Sequence, residues 1–332
     1  MGQDPWIRLQ QTYLGAMRSY YSPRTLEVME RGFRSIRGAF LELRRECKVG
    51  TTDPRKLAEA DIAAFLEWMR GRKTRLGTGL AYGTQANYID YLNGFLRFEN
   101  NGIIDQMRKL RFVRFPKKVP PEVRVMSESK VEELRSRLRT MPGYHGAMAR
   151  FMVAMYAYSG LRRSELRLAR LEDLSVDTWT IVVTHPKGEG RWAVAAPARI
   201  LRPARETVIE FLETRQRYLA EHGVESCEAL IPKITEGAAE YWTDGMWGKV
   251  KNDAERWTGI RFRIQTLRAT FGQMCIDWGG RPDAVSRALR HKTTRTTEIY
   301  YARIRADHAF RILDEAYDSA HRGKGSAQKA AD

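Results

Sequence analysis

Cysteine, long apolar runs and nucleotide- or metal-binding motifs are all scarce in this 332-residue chain. Its three cysteines, Cys47, Cys227 and Cys275, lie far apart, without a C-x-x-C pair and without the spacing to histidine that a zinc site needs. The expectation is three reduced, mostly buried thiols in a cytoplasmic protein. The six histidines are scattered, with no H-E-x-x-H, and neither a Walker-type phosphate loop nor G-x-S-x-G is present. The chemistry is therefore expected to need no metal, no nucleotide and no other cofactor. No apolar run reaches the roughly 18 residues that a membrane span requires. The longest, around residues 151–158, is soon followed by Arg162 and Arg163. Residues 1–7 contain Asp4 and Pro5 and no hydrophobic signal core, so neither secretion nor a membrane partner is expected.

What is abundant is positive charge. Lys and Arg number 57 against 40 Asp and Glu, a formal net charge of +17. At 43% hydrophobic and 29% charged residues, the chain has the composition of a globular protein with a real core. The excess of basic groups favours a polyanionic partner, and nucleic acid is the polyanion it suits best.

Helical periodicity dominates the first third. Ser22-Pro23-Arg24-Thr25 reads as a helix start, with Pro in the first turn. Leu26, Met29, Phe33, Ile36, Phe40 and Leu43 then recur at steps of three and four. A break at residues 50–54 precedes a helix with Ile62, Phe65, Leu66 and Met69, and a basic, glycine-bearing loop spans residues 71–83. A third helix opens near Thr84, carries Tyr88, Tyr91, Leu92, Phe95 and Phe98, and stops at Asn100-Asn101-Gly102. Residues 108–126 lose the periodicity and combine prolines with basic side chains, the mark of a linker. Beyond it Val131, Leu134 and Leu138 share a helix face, an apolar helix runs to Ser159, and Gly160 interrupts it. Thr180-Ile181-Val182-Val183 and Trp192-Ala193-Val194 are short β-like runs on either side of a turn at residues 187–190. Helices are expected from about Pro203 to Ala320, and the polar tail, residues 321–332, is expected to be disordered.

Three segments join strong bases to unusual local signals. Ser159-Gly160-Leu161-Arg162-Arg163-Ser164-Glu165-Leu166 places Arg162 between two apolar stretches, with Glu165 three residues on as its partner. Lys187 sits in the hairpin turn. Gln265-Thr266-Leu267-Arg268 opens an apolar helix, and Leu289-Arg290-His291 is followed by a threonine-rich basic run and then Tyr300-Tyr301. Together these segments resemble the tyrosine recombinase, or phage integrase, family, which includes the lambda-integrase and Xer types. Its T-G-L-R-x-S-E-L box fits residues 159–166 at all but the first position. Its hairpin lysine falls at Lys187, 25 residues beyond Arg162. Its H-x-L-R box fits residues 265–268, with Gln265 in place of the usual His. Its L-G-H box fits residues 289–291, with Arg290 in place of Gly, and the nucleophile nine residues after the box histidine is Tyr300.

The resemblance implies a mainly α protein. Residues 1–107 would form a helical, SAM-like core-binding domain and residues 108–126 a basic linker. Residues 127–320 would form a mostly helical catalytic domain with a small antiparallel β-sheet, the two domains closing as a C-shaped DNA clamp. It implies site-specific recombination through a covalent 3′-phosphotyrosyl intermediate, without ATP or metal, by a homo-tetramer on two double-stranded DNA sites. Arg162 and Arg268 would hold the phosphate, His291 would donate or relay a proton, Lys187 would protonate the leaving 5′-oxygen, and Tyr300 would attack. Glu165 and Asp173 are expected to support the arginine. Gln265 donates a hydrogen bond but carries no charge, so reduced activity is expected relative to a His there. Candidate DNA contacts are Arg72, Lys73, Arg75, Thr84, Lys117, Lys118, Arg163 and Arg295. The competing expectations are a catalytically weakened DNA-binding protein of the same fold, a topoisomerase-like enzyme, and Xer-type dimer resolution in place of mobile-element integration.

Overall fold

The computed structural model describes residues 5–74, 77–110, 113–118, 124–184, 196–291, 310 and 313–317. Arg75, Lys187, Arg295, Tyr300, Tyr301, the run Trp192-Ala193-Val194 and the tail lie outside the described residues. The chain divides into two compact units, Met1–Pro121 and Glu122–Asp332.

The first unit is helical. It comprises α1 (Pro5–Met17), α2 (Pro23–Arg45), a 3-10 turn (Pro54–Lys56), α3 (Glu59–Gly71), α4 (Tyr82–Phe98) and α5 (Ile103–Leu110). Ser22 caps α2 as expected, its hydroxyl accepting the Thr25 backbone N–H at 3.3 Å. Met29, Phe33, Ile36, Phe40 and Leu43 all point inward from α2. They meet Trp6, Tyr13, Ile62, Phe65, Leu92 and Phe95 in one core. Helix α4 opens two residues before Thr84, and Asn100 takes a left-handed φ of +58° just after its end. The chain then starts α5, so Arg108–Leu110, expected in the linker, is helical.

The second unit is built around α7 (Gly143–Ser159), from which Gly146 to Ser159 is buried at every position but Arg150. A helix that is apolar all round needs neighbours on every side. Four supply them: α6 (Glu128–Leu138), α9 (Arg202–Glu221), α10 (Asp244–Thr258) and α11 (Ile264–Asp277). The short α8 (Arg163–Arg167) and α12 (Pro282–Ala288) complete the described helices of this unit, apart from Phe310 and residues 313–317, which are also helical.

Strands β1 (Leu174–Ser175), β2 (Thr180–Val183) and β3 (Ala196–Arg199) form an antiparallel sheet with β2 in the middle. Ile181 faces Leu174 on one side and Ala198 on the other. The expectation of unbroken helix after Pro203 fails at β4 (Pro232–Thr235) and β5 (Ala238–Tyr241), a second antiparallel pair. Their two-residue turn, Glu236-Gly237, has φ of +51° and +80°, the both-positive geometry of tight hairpins. The cysteines also differ from expectation: Cys47 is exposed, and Cys227 and Cys275 are half-buried. Among the described residues no helix is long and apolar enough to cross a membrane.

Candidate active site

The site begins where α7 ends. Gly160 has a φ of +60°, and a Cβ there would lie 2.6 Å from the Phe271 ring and 3.0 Å from Leu289 Cδ2. Both the backbone conformation and the close approach demand glycine. The reversal delivers Arg162 to the start of α8. There the Arg162 backbone N–H donates to Glu165 Oε2 at 2.7 Å, and its Nη1 donates to Glu165 Oε1 at 2.5 Å. The spacing of three is thus a helix-start device: the carboxylate of the first turn satisfies an N–H with no partner in the helix.

Glu165 has a fully buried side chain and gathers more than one cation. Arg290 Nη2 donates to it at 2.9 Å, and Arg268 Nη1 lies 3.8 Å away. Arg268, on the second turn of α11, also donates to the carbonyls of Gly160 and Leu289. Arg162 Nη2 donates to the Arg290 carbonyl at 3.1 Å. Arg162 and Arg268, 106 residues apart in sequence, therefore hang on one carboxylate and on the backbone of the 289–290 turn. Arg162 remains the more open, 26% exposed against 10% for Arg268.

The electrostatics follow from this crowding. Burial alone would raise the Glu165 pKa, but the Arg290 charge and the hydrogen bonds from Arg162 outweigh it and hold the carboxyl below its usual range. Burial lowers the Arg290 pKa, against the pull of Glu165. His291 is half-buried beside the same groups, and its pKa falls to about 4, first through burial and then through the charges of Arg268, Arg162 and Arg290. Its imidazole is neutral at pH 7.

Other sequence candidates are placed differently. Gln265 sits in the first turn of α11, exposed and with no side-chain hydrogen bond among the described residues. Asp173 does not reach the arginines. Its carboxylate accepts the Arg170 N–H at 2.9 Å and the Thr184 hydroxyl at 3.3 Å, so it braces the sheet instead. Arg163 pairs with Asp244 at 2.9 Å. In the first unit Arg72 lies over the Trp68 ring and near Glu42, Lys118 pairs with Asp90, Thr84 is half-buried, and Lys73 and Lys117 are exposed. The residue that sequence reasoning left out of the site is Arg290. Its signal was a basic side chain at a position whose box carries glycine.

The family model of the phage integrase family matches residues 124–307, more than half of the chain. The tyrosine recombinase XerA of Thermococcus kodakarensis is 23% identical over 69% of this chain and 73% of the relative. Two solved structures show the same fold. One is the XerH site-specific recombinase in its post-cleavage complex with a palindromic difH substrate (16% identity, TM-score 0.64, covering 94% of this chain and 84% of the other). The second is the Tn1549 transposon integrase in complex with a circular intermediate DNA (16% identity, TM-score 0.62, covering 93% and 99%). The chain belongs to the phage integrase family and is a tyrosine recombinase, a site-specific recombination enzyme.

Proposed function

We propose that this chain cuts and rejoins DNA by transesterification, with Tyr300 forming a 3′-phosphotyrosyl bond. The observation that carries the reading is the fixing of Arg162 and Arg268 by one buried carboxylate, beside a neutral His291 that precedes Tyr300 by nine residues. A phosphodiester attacked by a phenol oxygen gathers negative charge on its non-bridging oxygens. Two guanidinium groups held in advance stabilise that charge without reorganising. The Tyr300 proton leaves as its oxygen bonds phosphorus, and neutral His291 is the acceptor at hand. The 5′-oxygen departs with a proton from Lys187. The covalent bond keeps the energy of the phosphodiester, so rejoining needs no ATP. Gln265 cannot share the proton traffic, which leaves His291 as the main relay.

The partner in this reading is a double-stranded recombination site, bound through Arg72, Lys73, Arg75, Thr84, Lys117, Lys118, Arg163 and Arg295. Four copies act on two sites. Support for assembly comes from Phe310, Leu313 and Tyr317, at helical spacing and each at least 63% exposed. Departures at Gln265 and Arg290 from the family boxes favour integration or excision of a mobile element over chromosome-dimer resolution.

A nicked duplex carrying the chain's own flanking DNA tests the chemistry. A denaturation-resistant protein–DNA adduct should form in EDTA without ATP, and Tyr300→Phe should abolish it. An adduct that survives Tyr300→Phe but not Tyr301→Phe reassigns the nucleophile. No adduct from the wild type sinks the reading in favour of a DNA-binding protein.

A further inference from the structure

Arg290 combines two unfavourable features. Its φ is +54°, a region that suits glycine, and its guanidinium is only 9% exposed. A strained backbone and a buried cation persist together only where the surroundings hold them in place. Here they do. Arg290 Nη2 donates to Glu165 Oε2 at 2.9 Å and to the Gly160 carbonyl at 3.1 Å, while Nη1 donates to the Ala288 carbonyl at 3.0 Å. Its own carbonyl accepts Arg162 Nη2. Residue 290 thus holds Arg162 directly through its backbone, and both arginines indirectly through Glu165.

We propose that Arg290 is a positioning residue: its guanidinium clamps Glu165 to the end of α7 and fixes Arg162, Arg268 and the adjoining His291 as one rigid socket for a phosphate monoanion. This rests on the proposed function for the identity of the anion. The charges agree with it. Arg268 on α11, Arg162 at the α7–α8 junction and Arg290 in the turn itself all raise the positive potential at His291, while Glu165 on α8 is the carboxylate they share. Three guanidinium groups against one carboxylate leave positive charge in excess, part of which a phosphate monoanion offsets. With glycine at this position the socket loses both a clamp and a charge.

The test follows the His291 imidazole by NMR in the free protein, its signal assigned by its loss in His291→Gln. Wild type, Arg290→Gly, Arg290→Asn and Arg290→Lys are titrated. Gly and Asn both tolerate the left-handed backbone, so at least one uncharged variant should fold. The midpoint should rise by roughly half a pH unit in the Gly and Asn variants, since Arg290 is the last of the causes that depress it, and by less in Lys. On the nicked duplex the Gly variant should form adduct at least tenfold more slowly, with the acidic limb of its pH–rate profile moved to higher pH. Lys should fall between, because it keeps the charge but not the bridging geometry. An unmoved midpoint with a superposable pH–rate profile overturns the proposal, as does a faster variant with an unmoved midpoint. A midpoint that moves as expected while not even the wild type forms adduct leaves the clamp standing and removes the recombination chemistry.

Discussion

In the unit of residues 1–121, Trp6, Phe33, Phe40, Phe65 and Phe95 are fully buried. Their rings interlock, with Phe33 and Phe95 centroids 5.4 Å apart and those of Trp6 and Phe40 5.5 Å apart. Most of its described ion pairs lie outward, as with Arg24 and Glu27, whose side chains are 72% and 60% exposed. In residues 122–332 the equally apolar surroundings of α7 enclose a carboxylate at 0% exposure and two guanidinium groups at about a tenth. Apolar packing fixes shape and tolerates repacking. A buried ionic cluster adds little net stability but fails badly when one member is removed. The difference teaches where orientation matters more than stability: charge is buried where directional bonds must hold cations still.

The largest effect should come from Glu165→Gln, which removes the charge and little else. It leaves three guanidinium groups, two of them buried, without a counter-charge, a loss of about 3–5 kcal/mol. Native-state hydrogen exchange should accelerate in α7 and α11 and not in α2. Phe95→Ala is the mirror experiment. Emptying the aromatic core should cost about 3–5 kcal/mol, and exchange should rise in α2 and α4 while the His291 titration stays put. Spread of either effect into the other unit would break the comparison.

A smaller effect concerns pH. The unfolded chain binds a proton at His291 at its ordinary pKa of 6.5, the folded chain only near 4. Between these values the unfolded state holds more protons, so stability falls as pH is lowered across that window. The depressed Glu165 extends the loss below the usual carboxylate range. Melting temperature should drop from pH 6.5 to pH 4, and less so in His291→Gln. Smallest of all, Arg24→Ala should change stability by less than about 0.5 kcal/mol, because an exposed pair is screened by water. A shift above about 1 kcal/mol in a melting experiment would mean that surface charge organises the first unit after all.

How much of this was legible in the sequence depends on how local the cause was. Ser22-Pro23 announces α2 because a cap acts within three residues, and the inward face of α2 follows from its period. Gly160 and Glu165 stand out for the same reason, one by its place at a helix end and the other by its spacing from Arg162. Helix α5 was missed because only Ile104 and Met107 are buried in its eight residues, and so short a helix exists by packing. Strands β4 and β5 carry Pro232, Lys233, Ala238, Ala239 and Glu240, poor strand formers held by their turn and their pairing. Asp173 was linked to the arginine by residue type alone, and its Arg170 and Thr184 bonds depend on the path of the sheet. The role of Arg290 was invisible because its partners, Glu165 and Gly160, are 125 and 130 residues away.

One further consequence lies in what Arg268 and Arg290 hold besides the carboxylate. Both donate to the carbonyl of Gly160, the residue that closes the 17-residue α7, and α7 has no basic residue in its own last turn. The aligned peptide dipoles of such a helix place about half a negative charge at that end. The guanidinium groups are therefore anchored partly on a macrodipole, which steadies a cation without neutralising it. An anchor of that kind leaves the arginines still short of negative charge and directs the deficit at whatever anion arrives.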